Sequence, residues 1–171
     1  MEQKGISLIG MPTSGKSTIG AELARQLEWP LLDVDRWMEE RQQMPLAQII
    51  AAIGKEATLS LETKCLREND LHRTIVSTPG SIIYNDVHEI LNEQTDIVWL
   101  DVPCEEIAHR LATDPDPHRA DQIIGIKEIG LEALYNERTQ HYRKWAKVAI
   151  RCAGKSIEEI TAEILGEFNS L

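Results

Sequence analysis

The sequence is short of cysteine, and the few it has are poorly placed for cross-links or metal. Cys65, Cys104 and Cys152 are odd in number and none belongs to a CxxC pair. Neither a disulfide framework nor a zinc site follows, and the three thiols fit a reducing cytosol. Long apolar runs are missing as well. The opening stretch MEQKGISLIGMPTSGKST has only a few apolar residues before Gly and Lys interrupt them, which excludes a signal peptide or membrane span there. No repeat, low-complexity tract or linker divides the chain, and its five histidines lack metal-ligand spacing. Positive charge is in deficit. Eighteen Lys and Arg against 28 Asp and Glu leave a net charge of -10, which argues against a nucleic-acid surface or an anionic membrane as partner. What is there, 171 residues of which 42% are apolar and 27% charged, suits one soluble globular domain over 1–171. A cytoplasmic monomer is expected.

Short apolar runs alternate with helical patterns along the chain. Strands are expected at 6–9, 31–34, 74–77, 96–102 and 147–151. Helices are expected over 16–28, 35–43, 45–53, 56–72, 86–93, 104–112, 128–144 and 156–167. The prolines of Asp114-Pro115-Asp116-Pro117-His118-Arg119 forbid a continuous helix there. This alternation predicts an α/β fold with a parallel sheet covered on both faces, and ligands of such sheets bind at the carboxyl ends of strands.

The residues that follow the strands are the chemically telling ones. Gly10-Met11-Pro12-Thr13-Ser14-Gly15-Lys16-Ser17 fits GxxxxGK[ST], and Thr18 follows. Glycine lets successive backbone N–H groups turn toward phosphate oxygens, and the helix that begins here points its positive end at the same anion. Lys16 reaches the β- and γ-phosphates of a nucleoside triphosphate as a point charge, and the Ser17 hydroxyl suits Mg²⁺. The second strand ends in Asp33-Val34-Asp35, two carboxylates on one side of an extended chain. Beside a phosphate loop, one can hold Mg²⁺ and the other can orient or deprotonate an acceptor hydroxyl. Either acid also suits the N-cap of the next helix.

The order of GMPTSGKST, LLDVD, PLAQIIAAIGKEATLSLE, IVWLDVP and ERTQHYR resembles shikimate kinase, over about residues 4 to 167. The resemblance implies a P-loop three-layer αβα fold, nucleoside-monophosphate-kinase-like, with a five-stranded parallel sheet in the order 2-3-1-4-5. It implies a substrate-binding helical region at about 34–62 and a lid at about 113–126. The activity implied is transfer of a phosphoryl group from ATP, with Mg²⁺, to a hydroxyl of a small molecule. Gly10, Thr13, Ser14, Gly15, Lys16, Ser17 and Thr18 would cradle the phosphates, and Arg110 would lie on the adenine. Ser17 and Asp33 would hold Mg²⁺. Lys16, Asp35 and the lid's Arg119 would be catalytic, and Asp35, Gly80 and Arg138 would bind the acceptor. An arginine fork matches a carboxylate bidentately, which suits Arg138 to an acidic acceptor.

Three stretches depart from the family pattern. Leu59 stands where a substrate arginine is expected, Pro79-Gly80-Ser81 replaces a Gly-Gly-Gly turn, and Arg119-Ala120-Asp121 replaces Arg-Pro-Leu in the lid. Lys55, Lys64, Arg67 and Arg36 are the cations that stand near enough in sequence to compensate. The departures also raise a kinase for a different acceptor (a polyol, sugar or nucleoside monophosphate); a neutral polyol or sugar suits Leu59 better than a carboxylate does. A nucleotide-binding pseudoenzyme is the non-catalytic alternative, against which the intact Lys16, Ser17, Asp33 and Asp35 speak. The absence of NKxD and DxxG excludes a guanine-nucleotide switch.

Overall fold

The computed structural model describes residues 3–169; Met1 and Glu2 of the opening stretch, and the last two residues of the expected 1–171 domain, lie outside them. Five short runs of apolar residues form the strands: β1 (Gly5–Ile9), β2 (Leu31–Asp33), β3 (Ile75–Ser77), β4 (Thr95–Asp101) and β5 (Val148–Arg151). All pairings are parallel and the order is β2-β3-β1-β4-β5. β1 and β3 are buried along their whole length, as expected of central strands covered on both faces. Ser7, the one polar residue inside β1, is satisfied by Thr95 Oγ1 at 2.7 Å.

Helices α1 (Lys16–Leu27), α2 (Val34–Gln42), α3 (Leu46–Glu68), α4 (His88–Gln94), α5 (Cys104–Ala112), α6 (Ile126–Ile129), α7 (Leu131–Trp145) and α8 (Ile157–Asn169) complete a three-layer αβα fold. α1 meets α8, while α4 and α7 meet β4. The core is aliphatic, with Leu8, Ile9, Leu23, Ile75, Val76, Val98 and Leu100 at or below 1% exposure. Trp99 is buried, and Trp29, Trp37 and Trp145 pack against the core from partly buried positions. Cys65 and Cys152 are buried and Cys104 partly so, each a free thiol. Among the described residues no helix is long and apolar enough to cross a membrane.

Several boundaries differ from the sequence expectation, each for a local reason. Val34 belongs to α2 and not to the second strand, because Asp33 Oδ1 accepts from Arg36 N at 3.2 Å and starts the helix there. The break expected between the helices 45–53 and 56–72 is present, at Gly54 (φ 80, ψ 173) inside α3. Such a φ suits glycine far better than other residues. α3 stops at Glu68, short of residue 72, where Asn69 Nδ2 donates to Cys65 O at 2.7 Å and Asp70 Oδ1 accepts from His72 N. The helix expected over 128–144 is cut at Gly130 (φ 78, ψ 166), which separates α6 from α7. Two 3₁₀ turns, Ile82–Tyr84 and Arg119–Gln122, carried no signal in the periodicity.

Candidate active site

The carboxyl ends of β1, β2 and β3 converge on one cavity of about 240 Å³. The phosphate loop runs from the end of β1 into α1. Gly15 takes φ 97 just ahead of the helix, and Thr13 sits at φ 61, a left-handed conformation that costs a residue with a Cβ. No side chain caps α1, and Thr13 Oγ1 is buried without a hydrogen-bond partner. Free N–H groups at a helix start and an orphaned hydroxyl together fit an anion placed in the loop. Lys16 is buried, with Nζ donating to Gly10 O at 2.9 Å and Met11 O at 2.7 Å. Burial lowers its pKa to about 8, helped by the cationic Arg138 and Arg119 and opposed by Asp35 and Asp33.

Ser17 Oγ donates to Asp33 Oδ2 at 2.6 Å, and Ser77 Oγ lies 3.4 Å from Ser17 Oγ. Asp33 therefore caps α2 with one oxygen and meets Ser17 with the other. A hydroxyl and a carboxylate oxygen are hard ligands of the kind Mg²⁺ takes, and Mg²⁺ needs only one or two such groups beside phosphates and water. Among the described residues no cluster of three or more His, Cys, Asp or Glu could hold a metal by itself.

Asp35 stands in the first turn of α2 and lines the cavity, with Oδ1 buried and unpartnered. Burial raises its pKa to about 6, with Asp33 adding and Lys16 and Arg119 opposing. Arg138, on α7, is 1% exposed; its Nη2 donates to Ile124 O at 2.6 Å and its Nε lies 3.5 Å from Tyr84 Oη. Arg119 is on the 3₁₀ turn of the 113–126 segment and also lines the cavity, held by Gln122 Oε1 at 2.9 Å and Asp114 Oδ2 at 3.5 Å.

Of the residues singled out from the sequence, Thr13, Gly15, Lys16, Ser17, Thr18, Asp35, Gly80, Arg119 and Arg138 line this one cavity. Gly10 and Ser14 support it from within the loop through their contacts with Lys16, and Asp33 through Ser17. Arg110 stands behind the loop, where it donates to Thr13 O at 2.8 Å and pairs with Glu106.

Glu62, which the sequence reading does not single out, lines the cavity at 1% exposure. It accepts from Ser81 Oγ at 2.5 Å and from Asn85 Nδ2 at 2.6 Å. Burial pushes its pKa up to about 7, against the opposing hydrogen bonds of Ser81 and Asn85 and the charge of Arg138. The i, i+4 pair Thr58 and Glu62 shares the wall face of α3, whereas Leu59 does not line the cavity. The apolar side chain expected to reshape the acceptor site therefore stands off its wall. Ser81 turns its hydroxyl to Glu62, and Asp121 in the 113–126 segment is paired with Lys127 at 2.7 Å.

Comparison with known proteins decides the family. The shikimate kinase (SKI) family model matches residues 12–169. This chain belongs to the shikimate kinase family. It is 32% identical over 165 residues to the shikimate kinase of Staphylococcus aureus, covering 96% of this chain and 93% of that one. It is 33% identical over 165 residues to that of Sulfurihydrogenibium sp., covering 95% and 96%. Its fold matches that of the shikimate kinase from Acinetobacter baumannii in complex with shikimate, with a TM-score of 0.84 over 98% of this chain and 94% of that one at 23% identity. The protein is an ATP-dependent small-molecule kinase working with Mg²⁺. Family membership weighs against the different acceptor raised by Leu59.

Proposed function

We propose that this protein transfers the γ-phosphoryl group of ATP to a hydroxyl of shikimate, acting as a cytoplasmic single-domain monomer in aromatic amino acid biosynthesis. The observation that carries the proposal is one cavity that joins the phosphate-loop Lys16, the unpartnered Asp35 carboxylate oxygen and the buried Arg138. A hydroxyl at one end of the acceptor and a carboxylate at the other match an anionic oxygen and a guanidinium on the same wall.

The phosphate loop N–H groups and Lys16 bind the triphosphate, and Lys16 leaves its carbonyl partners Gly10 and Met11 to do so. Ser17 and Asp33 would hold Mg²⁺, which when bound would neutralise charge on the phosphates. Asp35 accepts the hydrogen bond of the acceptor hydroxyl and orients it for in-line attack; a carboxylate with a pKa near 6 is ionised at neutral pH and close enough to take the proton. Arg119, brought from the lid segment, stabilises the equatorial oxygens of the phosphoryl group and helps to exclude water. Arg138 fixes the acceptor carboxylate, and Gly80 gives it room.

The test is ADP release from Mg²⁺-ATP with shikimate beside cyclitols, sugars, hydroxy acids and nucleoside monophosphates. Saturable turnover with shikimate in clear preference to the others is expected. Turnover of another compound with silence on shikimate would overturn the acceptor, and silence throughout with ATP still binding would overturn the enzyme.

A further inference from the structure

Among the described residues the cations that line the cavity are Lys16, Arg119 and Arg138. The first belongs to the phosphate loop and the second to the lid, which leaves Arg138 alone for an acidic acceptor. That acceptor also approaches two buried acids, Asp35 and Glu62. One guanidinium facing two carboxylates and a third arriving with the acceptor leaves negative charge uncompensated in a desolvated site.

Of the four cations near enough in sequence to help, three are engaged elsewhere or remote. Arg36 pairs with Glu40 at 2.8 Å and Lys64 with Glu68 at 3.6 Å. Arg67 lies twelve residues along α3 from Lys55, about 18 Å at the rise of an α-helix. Lys55 is the one that shares a neighbour with Arg138. Its Nζ lies 5.2 Å from the centre of the Tyr84 ring, and the Arg138 guanidinium lies 5.4 Å from the same ring. Lys55 has no ion pair with a carboxylate among the described residues. It lines a groove of about 770 Å³ that adjoins the cavity, with Ile50, Gln122, Ile123 and Ile124 lining both. The break at Gly54 makes Lys55 the first residue of the second half of α3, where helix-start N–H groups add to its positive potential.

We propose that Lys55 is a specificity-determining residue that supplies the second cation for the acceptor's carboxylate, reaching across Tyr84 to the anion that Arg138 holds. Two cations beside one aromatic ring repel each other, and an anion within reach of both relieves that repulsion. A lysine on a flexible stem serves this role as a point charge without the fixed fork of an arginine. The proposal rests on the reading of shikimate as the acceptor.

Its test compares Lys55→Gln and Lys55→Arg with the unaltered protein, on shikimate and on its neutral methyl ester. Lys55→Gln should raise the KM for shikimate about five- to tenfold, as for a partly exposed charge pair, with kcat and the KM for ATP within about twofold. Lys55→Arg should restore most of the loss, and the ester should show no difference between the proteins. An unchanged KM for shikimate overturns the role of Lys55 and leaves the acceptor assignment standing. An equal rise with the ester also overturns it, since Lys55 would then act only by packing on Tyr84. If the unaltered protein ignores shikimate but turns over another compound, the acceptor assignment fails and this role with it.

Discussion

Gly80 and Arg138 compete for one space: a Cβ on Gly80 would lie 2.6 Å from Arg138 Nη1 and 2.9 Å from Pro12 Cδ. Neither side can give easily. Arg138 is pinned by Ile124 O, and the Gly80 backbone is held by Tyr142 Oη, which donates to Gly80 O at 2.7 Å from a fully buried position. Gly80→Ala should therefore displace the guanidinium that meets the acceptor. The KM for the acceptor should rise at least about tenfold, the cost of weakening a buried charged contact by about 1.4 kcal/mol. The KM for ATP should rise less, because only the Pro12 contact reaches the phosphate loop. Steady-state kinetics with each substrate varied checks this, and equal rises in both would refute it.

The pH dependence of turnover follows from two buried groups of opposite sign. Asp35 must be ionised to accept the hydroxyl proton, and its pKa is raised to about 6. Lys16 must be protonated to bind phosphate, and its pKa is lowered to about 8. The kcat/KM profile should thus be a bell that rises through about pH 6 and falls above about pH 8, reporting groups of the free enzyme. Bound triphosphate favours the charged lysine, so the alkaline limb should move outward in kcat. Asp35→Asn should remove the acid limb and lower kcat about 10²- to 10⁴-fold. An acid limb near pH 4, the ordinary carboxylate range, would show that Asp35 is not the group that must ionise.

The phosphate half of the site was legible because its chemistry is local. Gly15, Lys16 and Ser17 act through one loop and the helix start that follows it, so their spacing alone carries the geometry. The sheet order was read through family resemblance, since apolar periodicity places strands without ordering them. The acceptor half was legible only in part: the resemblance pointed to Asp35, Gly80 and Arg138, which line the cavity, but not to the contacts that hold them, whose partners are far apart in the chain. Glu62 meets Ser81 and Asn85 across 19 and 23 residues, and Arg138 meets Tyr84 across 54. At Leu59 the resemblance names a position, whereas the structure shows which neighbours on α3 line the cavity, here Thr58 and Glu62. The break at Gly54 agrees with the two helices expected on either side of it, whereas the break at Gly130 shows only in its backbone angles.

Glu62 carries a stability cost that depends on pH. Its pKa in the fold is about 7, above the 4.5 of an unperturbed glutamate, so the folded protein holds the proton more tightly than the unfolded chain. The resulting stabilisation is full below about pH 4.5 and is lost as pH rises through about 7. Glu62→Gln removes the titration but keeps an oxygen to accept from Ser81 or Asn85. The variant should match the parent near pH 4.5 and exceed it at pH 8 by on the order of 3 kcal/mol, an upper value given the nearby charge of Arg138. For a domain of this size, that is roughly 5–10 °C in Tm. Thermal melts of both proteins across pH 4.5 to 8 provide the measurement. A gap that stays constant with pH would mean that the glutamate is already ionised at no cost, through compensation by Arg138, and that burial does not govern its charge.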